Sequence, residues 1–206
     1  LDKHFKQIAD IDLDVEPYNA DGGWIPIGKW LPVNDEPFLG TFDGNGFTIN
    51  NLHIKRSDLD DVGLFGYING AEIRNVKLEN VNATGKMNVG SLVGKSEGQS
   101  QIKNSSATGS VEGHLAVGGL VGYNENGAIT SCFAECTVTG NNVGEFVSSG
   151  IGGLVGNTWG NSLTCQIADC HAIGAVTGED SVGGLAGYSG NAISNSYATG
   201  IVTGKK

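Results

Sequence analysis

The sequence predicts an all-β protein, a right-handed parallel β-helix (a solenoid) of about five to six coils with an N-terminal cap. The first observation is a glycine-rich string, of the kind Val117-Gly118-Gly119-Leu120-Val121-Gly122, that occurs five times. Its closing glycine stands at Gly66, Gly94, Gly122, Gly156 and Gly187. The intervals of 28, 28, 34 and 31 residues are typical of solenoids.

The second observation is a string that follows each glycine-rich one. It occupies residues 102–113 and recurs at 129–140, 167–178 and 193–204, with a copy one residue longer at 73–85. Small or apolar residues alternate in it with residues of any chemistry. Alternation at matching positions of successive copies predicts parallel strands stacked in register with one face inside. Parallel crossovers favour a right-handed coil, and no window shows a sustained helical period.

The five glycines that close the glycine-rich strings are expected at tight corners. A corner needs glycine where φ is positive or where a Cβ atom would clash with backbone. A nucleotide-binding interpretation of these glycines is disfavoured, because the chain has no G-x-G-x-x-G that opens a helix and no glycine-rich loop ending in G-K-[ST].

The chain is expected to divide into an N-terminal strand and capping segment, residues 1–37, and one continuous β-helix domain, residues 38–206. Alternation from Ile8 to Leu13 predicts a half-buried strand. The irregular stretch that follows contains Trp24, Ile25, Ile27 and Trp30. Because the terminal unit of a solenoid must cover an open core, we expect these side chains to plug its end.

Composition restricts the possible partners. The 206 residues carry 22 acidic and 12 basic side chains, for a net charge of −10. This field repels nucleic acid phosphates and anionic lipids, so neither is expected as a partner. No apolar run approaches membrane-spanning length, so membrane insertion is not expected.

Four cysteines fall in two neighbouring repeats. Cys132 and Cys170 occupy the same position on successive coils, where a disulfide between coils is conceivable, and Cys136 and Cys165 would then form a second pair. Four small buried thiols are an equally good interpretation. No C-x-x-C pair is present, which disfavours a zinc site.

No group of residues in the sequence indicates catalysis, and no cofactor or metal is expected. The aspartates at 10, 12 and 14 and those at 58, 60 and 61 lack matching Lys or Arg partners on the repeat strands. The candidate binding site is an outward row of Phe133, His171 and Tyr197 on three successive coils. Such a row either contacts carbohydrate or protein, or stacks on itself and stabilises the sheet.

The strings [VI]-G-G-L-[VA]-G and I-x-x-[SC]-x-A-x-G-x-V-x-G resemble GLUG repeats. Residues 8–13, 24–28 and 38–46 resemble the segment that commonly precedes such repeats in bacterial surface proteins. The resemblance implies a secreted or surface-anchored bacterial β-helix, of the kind found in adhesins and beside the catalytic domains of immunoglobulin-A-cleaving metallopeptidases. The zinc motif of those peptidases, H-E-x-x-H, is absent here, so their activity does not transfer.

The expected function is therefore a non-catalytic, extracellular repeat module that serves adhesion or acts as a spacer presenting other domains. Expected partners are a surface glycan or protein of a host or neighbouring cell, and the segment is expected to be part of a longer array. The alternative is a carbohydrate-active β-helix enzyme, which requires acids and bases that converge in one cleft.

Overall fold

The computed structural model describes residues 1–31, 33–141, 149–161 and 165–205, and every pairing between two of its strands is parallel. The chain winds through four sheets in the repeating order sheet 1, sheet 2, sheet 3, sheet 4. No described residue is helical, so these ranges contain no helix that could cross a membrane. Sheet 4 has five strands, which corresponds to about five complete turns. The predicted all-β parallel solenoid is confirmed, and its right-handed sense stays a prediction.

Sheets 1 and 2 extend along the whole solenoid. Sheet 1 contains His4–Lys6, Thr41–Asp43, Glu72–Arg74, Gln101–Lys103, Ala128–Thr130, Gln166–Ala168 and Ala192–Ser194. Sheet 2 contains Ile11–Asp12, Thr48–Asn50, His53–Lys55, Lys77–Thr84, Ser106–Gly113, Phe133–Gly140, His171–Ala172, Val176–Gly178, Tyr197–Ala198 and Val202–Gly204.

Sheets 3 and 4 are shorter because the cap replaces their first coils. Sheet 3 contains Met87–Gly90, Leu115–Gly118, Ile151–Gly152 and Val182–Gly183. Sheet 4 contains Phe65–Asn69, Val93–Glu97, Val121–Glu125, Val155–Trp159 and Ala186–Ser189.

The core consists of apolar rows that run along the axis. Sheet 1 contains an isoleucine row, which the cap extends with two phenylalanines: Phe5, Phe42, Ile73, Ile102, Ile129, Ile167 and Ile193. From Ile73 to Ile167 these side chains are fully buried. Burial of each contributes about 1.5–3 kcal/mol.

The longer copy at residues 73–85 accommodates its extra residue in a β-bulge. Leu78 pairs with Ala107 and Val81 with Gly109, so two residues of the first strand oppose one of the second. One of the two, Asn80, has φ 56°, a left-handed conformation that asparagine tolerates.

The cap differs from the prediction in two ways. The stretch from Ile8 to Leu13 is not one strand, because the chain turns between sheets 1 and 2 and leaves Ile8 85% exposed. Trp24 packs against the core as expected, whereas Ile25 and Trp30 point outward. These two side chains therefore do not plug the open end.

The closing glycines are needed for close approach, not for positive φ. None of the five has φ in the left-handed region. A Cβ atom on Gly94 would lie 2.5 Å from the carbonyl carbon of Asp61, and one on Gly122 would lie 2.4 Å from that of Asn88. Gly94, Gly122 and Gly156 thus each accommodate the corner residue that lies beside sheet 3 one coil earlier, whereas a Cβ atom on Gly66 would lie 2.5 Å from the carbonyl oxygen of Gly28.

The corner residue beside sheet 3 has the left-handed backbone conformation. Its φ lies between 51° and 58° at Asp61, Asn88, Ala116 and Ser181. A second left-handed corner joins sheets 1 and 2 at Asn75, Asn104, Ser131, Asp169 and Asn195, with φ between 47° and 55°. Asparagine and aspartate adopt this conformation more readily than other side chains, so two columns of mostly polar residues, with Ala116 as the exception, set the corners of the coil.

All four cysteines are free and buried thiols in the structure. Cys132 and Cys170 are neighbours, and the backbone N–H of Cys132 donates to the Cys170 Sγ at 3.4 Å. A second hydrogen bond, between the thiols of Cys132 and Cys170, together with burial, raises the pKa of the Cys132 thiol. Cys136 contacts Ser91 and Gly119, whereas Cys165 contacts Thr158 and Asn124, so these two share no contact among the described residues. The structure therefore does not bring Cys136 and Cys165 together as predicted, which favours free thiols at these two positions.

Replacement of Gly122 by alanine tests the corner geometry. The new Cβ atom would overlap the backbone of Asn88, so we expect Gly122→Ala to lose about 3 kcal/mol or more of unfolding free energy, measured by urea denaturation. Gly204→Ala is the control, because its Cβ atom would meet nothing closer than 3.7 Å, and it should stay within about 0.5 kcal/mol of the wild type. Equal stability of the two variants would contradict this account of the corner.

Asp61 should make stability depend on pH. Burial raises the pKa of Asp61 to about 6, against the hydrogen bond from Asn88, which lowers it. Lys95 favours the charged form, whereas Asp60 and Glu97 disfavour it. Because the pKa of Asp61 is higher in the folded than in the unfolded state, its stabilising contribution to the unfolding free energy is fully present below about pH 4. This contribution is lost as the pH rises through 6. Asp61→Asn should therefore stabilise the protein by about 1–3 kcal/mol at pH 7 and by almost nothing at pH 4.

Asp169→Asn is the matched control for this pH dependence. Asp169 is also a left-handed corner aspartate, and it accepts a hydrogen bond from Asn195 one coil later, but it is exposed. Its replacement should change the unfolding free energy by less than about 0.5 kcal/mol at either pH. A pH-independent effect of Asp61→Asn would contradict the assignment to ionisation of this carboxyl.

The thiols should react as four free groups. We expect iodoacetamide to modify none of the cysteines of the native protein and all four after denaturation without reductant, read by intact mass. Burial keeps them from reagent in the folded state, and it raises the pKa of Cys136 to about 11. Modification of only two thiols after denaturation would instead establish the predicted disulfide between Cys132 and Cys170.

Candidate functional site

The predicted aromatic ladder, Phe133, His171 and Tyr197, exists on the outer face of sheet 2. The three residues are direct register partners on successive strands. The ring centroids of Phe133 and His171 are 5.1 Å apart with an interplanar angle of 3°. Those of His171 and Tyr197 are also 5.1 Å apart, at 6°. The rings form one continuous stack.

This geometry decides which part of the aromatic ladder is available to a ligand. The faces of His171 are covered by Phe133 on one side and by Tyr197 on the other, and Phe133 continues onto Ser106 of the preceding coil. Stacked pairs contribute about 0.5–1.5 kcal/mol beyond their buried area. The outer face of Tyr197, which is 56% exposed, remains open. The arrangement supports a stabilising role, and binding by this ladder stays a prediction.

The aspartates near the N terminus act in turns. Asp10 accepts a hydrogen bond from the backbone N–H of Thr48 at 2.8 Å, and Asp12 accepts from the Asn51 side chain at 2.9 Å. The Asn51 hydrogen bond is the main reason that the pKa of Asp12 lies below its usual value. Within the described ranges, no group of three or more His, Cys, Asp or Glu side chains has a geometry that could hold a metal ion.

His171 and Cys170 do not form a catalytic pair. Cys170 is buried in the core, whereas the ring of His171 lies in the outward stack. Adjacent residues of a strand point to opposite faces, which keeps the thiol and the imidazole apart.

The cap contains a cleft of about 990 Å³ that the sequence did not indicate. We call it the cap cleft. Its walls are mostly apolar and consist of three prolines, two aromatic residues and the aliphatic chains around them: Pro17, Pro26, Pro37, Tyr18, Trp24, Leu1, Ile25, Ile27 and Leu39. The sequence prediction missed this cleft because it placed Trp24 and Ile25 inside the end of the solenoid. The available signal was the presence of all four prolines of the chain among the apolar residues of this stretch.

The aromatic wall of the cap cleft is fixed in position. The indole Nε1 of Trp24 donates a hydrogen bond to the carbonyl of Leu64 at 3.0 Å, and the Tyr18 ring packs on Trp24 with centroids 5.5 Å apart. Arg56 donates from Nη2 to the carbonyl of Gly23 and from Nε to that of Trp24. The side chains of Trp24 and Arg56 thus hold the cleft against the first coil, and the sequence analysis did not identify the role of Arg56.

Five charged residues border the cap cleft, and most already have partners. Lys29 and Glu36 form an ion pair at 3.1 Å, and Asp35 accepts a hydrogen bond from the backbone N–H of Leu31 at 2.8 Å. Asp21 is exposed at the rim, and the guanidinium of Arg56 completes the set. The acids and bases here neutralise one another or hold turns, so the cleft offers few free polar groups to a ligand.

A polar cluster joins the cap to the outer face of sheet 4. The Tyr67 hydroxyl donates to Glu97 Oε2 at 2.6 Å, and Lys95 Nζ lies 2.8 Å from Glu97 Oε1. Lys95 also lies over the rings of Trp30 and Tyr67, 5.1 and 5.2 Å from their centroids. Burial, followed by the hydrogen bond to Glu97, raises the pKa of Tyr67. Trp30 therefore covers a salt bridge on the outside of the coil.

Comparison with known proteins agrees with this architecture. The family model "The GLUG motif" matches residues 85–112, 113–144 and 178–203. The solved structure of a putative immunoglobulin A1 protease from Bacteroides ovatus has the same fold, with a TM-score of 0.79 and 25% identity over 99% of this chain and 61% of that one.

Curated relatives match over part of the chain and are far longer. Halomucin from Haloquadratum walsbyi is 38% identical over 133 residues, which is 63% of this chain and 1% of the relative. The immunoglobulin A1 protease of Streptococcus pneumoniae is 32% identical over 92 residues, which is 45% of this chain and 4% of the relative. The predicted resemblance is confirmed: this chain is a parallel β-solenoid that carries repeats of the GLUG motif.

Proposed function

We propose that this chain is a non-catalytic, rigid spacer module of an extracellular surface protein. The observation that carries the proposal is the unbroken register of sheet 1. In sheet 1, one residue row passes from Phe5 to Ile193 without a shift. A stack of coils bonded in this way is stiff along its axis, which is the property a spacer requires.

The relatives support an external location. One is named a Gly-rich membrane protein and is 40% identical over 77 residues, and two are named immunoglobulin A1 proteases. Immunoglobulin A1 is an extracellular protein, so a protease that acts on it works outside the cell. The chain spans only 1% to 8% of the length of these curated relatives, which fits a module repeated or inserted within a larger surface protein.

The adhesive interpretation depends on the outer face of the aromatic ladder. Carbohydrate recognition by aromatic residues uses an open ring face. Here the central ring, His171, has both faces covered by its neighbours on adjacent strands, and Phe133 and Tyr197 each have one face covered by His171. The stack therefore favours the spacer over adhesion through this ladder.

A carbohydrate-active enzyme is the less favoured alternative. Such an enzyme needs a carboxylic acid and a carboxylate, or a base, that converge on a substrate. The cap cleft contains acids and bases, but Lys29 is paired with Glu36, and Asp35 is bonded to the backbone of its own turn.

A glycan array with matched variants tests the spacer. We expect no glycan to bind the wild type, and we expect Phe133→Ala/Tyr197→Ala to lose about 1–3 kcal/mol of unfolding free energy through loss of the stack. The control Thr177→Ala/Thr203→Ala alters exposed residues on two other strands of sheet 2, Val176–Gly178 and Val202–Gly204, and it should change stability by less than about 1 kcal/mol. Glycan binding by the wild type that disappears in the aromatic variant would instead establish a lectin-like adhesive module.

A further inference from the structure

The cap cleft has the form of a ligand site, and neither the solenoid nor the spacer function requires one. Its volume of about 990 Å³ lies at the upper end of the range usual for ligand pockets. Ile25, which forms part of its wall, is 74% exposed although the cap turns directly onto a buried core. A cap that served only to close the solenoid would bury this side chain.

We propose that the cap cleft binds an extended, proline-containing peptide that carries a basic residue. The first argument is the chemistry of the walls. Pro17, Pro26, Pro37, Tyr18 and Trp24 are rigid side chains that lose little conformational entropy on contact. Grooves lined by aromatic residues recognise the polyproline II conformation, whose preformed shape lowers the cost of binding.

The second argument is the shortage of backbone hydrogen-bond partners. Proline has no N–H, and the N–H groups of Trp24 and Ile27 already donate to His53 and Leu64. Trp24 and Ile27 therefore have no free N–H group with which a peptide could pair as a β-strand. A proline-containing peptide suits such walls, because it presents few N–H groups that would be left unpaired.

The third argument separates a peptide from a sugar. A bound oligosaccharide presents many hydroxyl groups, and each buried one needs a partner. The polar groups of the cleft are largely engaged with one another, as shown by the Lys29–Glu36 ion pair and by the hydrogen bonds of Arg56 to two carbonyls. Few remain to receive a sugar, so apolar contact must supply the affinity.

The fourth argument concerns charge. Three carboxylates and two cations border the cleft, and Asp21 has no ion-pair partner among the described residues. The whole chain carries a net charge of −10, so its field attracts cationic ligands and repels anionic ones. A lysine or arginine of the peptide placed beside Asp21 complements this rim.

Fluorescence anisotropy with labelled peptides tests the proposal on the 206-residue chain. The probe is a fluorescein-labelled decapeptide of proline and leucine with one central arginine. Two comparison peptides replace the arginine by glutamate, or replace the prolines and leucines by glycine and serine. We expect saturable binding of the probe, about tenfold weaker binding of the glutamate peptide, and no saturable binding of the glycine–serine peptide.

Matched variants locate the binding. Ile25→Ser removes an exposed apolar wall residue and should weaken probe binding about tenfold, and Tyr18→Ala should do the same. The control Ile201→Ser removes an isoleucine that is equally exposed, at 76%, but lies in the last coil, and it should leave binding unchanged. Asp21→Asn should reduce the preference for arginine over glutamate. Circular dichroism of all variants verifies that they are folded.

Three results would overturn the proposal. The first is equal probe affinity of Ile25→Ser and Ile201→Ser. The second is equal binding of the glycine–serine peptide, which would indicate attraction by charge alone. The third is quenching of tryptophan fluorescence by cellohexaose but not by the probe, with the quenching lost in Tyr18→Ala, which would assign the cleft to a sugar.

Discussion

The structure depends on one constraint, the stacking of successive coils at the separation of hydrogen-bonded strands, about 4.8 Å. Each residue of a paired strand lies at this distance from its counterpart in the next coil. Side chains that stack well on themselves are therefore favoured at each position. The isoleucine row of sheet 1 satisfies the constraint inside, and the rings of Phe133, His171 and Tyr197 satisfy it outside.

The same constraint explains the glycines. A left-handed residue at the start of sheet 3 turns the chain, and its backbone then occupies the space beside sheet 4 of the next coil. Only glycine fits there, as the contact of Gly122 with the backbone of Asn88 shows. The polar corner residue and the glycine one coil later are thus a pair, although 34 residues separate them. The ionisation of Asp61 acts at such a corner, which links the pH to the geometry of the coil.

The packing of the cap differs from that of the repeats, because in the described part of the chain its residues 24–38 pack against one coil and not between two. Its backbone still pairs with the first coil, through Ile27 beside Phe65 and Phe38 beside Ile68. Its side chains, however, have no second layer to enter, so several point outward and enclose the cap cleft. The Trp30 ring over Lys95 fastens this irregular segment to the regular repeats. A surface made by irregular chain on a rigid scaffold is where recognition most often occurs in proteins.

The repeat period and the alternation of small and apolar residues determined the solenoid, its inward rows and the aromatic ladder. These features rest on contacts between identical positions of neighbouring coils, so the sequence displays them as repetition. The tertiary structure alone decided the separation of Cys136 from Cys165, the outward turn of Ile25 and the cap cleft. Each of these depends on which distant residues fill the space around a side chain, for example Leu64 beside the indole of Trp24. The cap occurs once in the chain, so no second copy reveals which of its residues face the core.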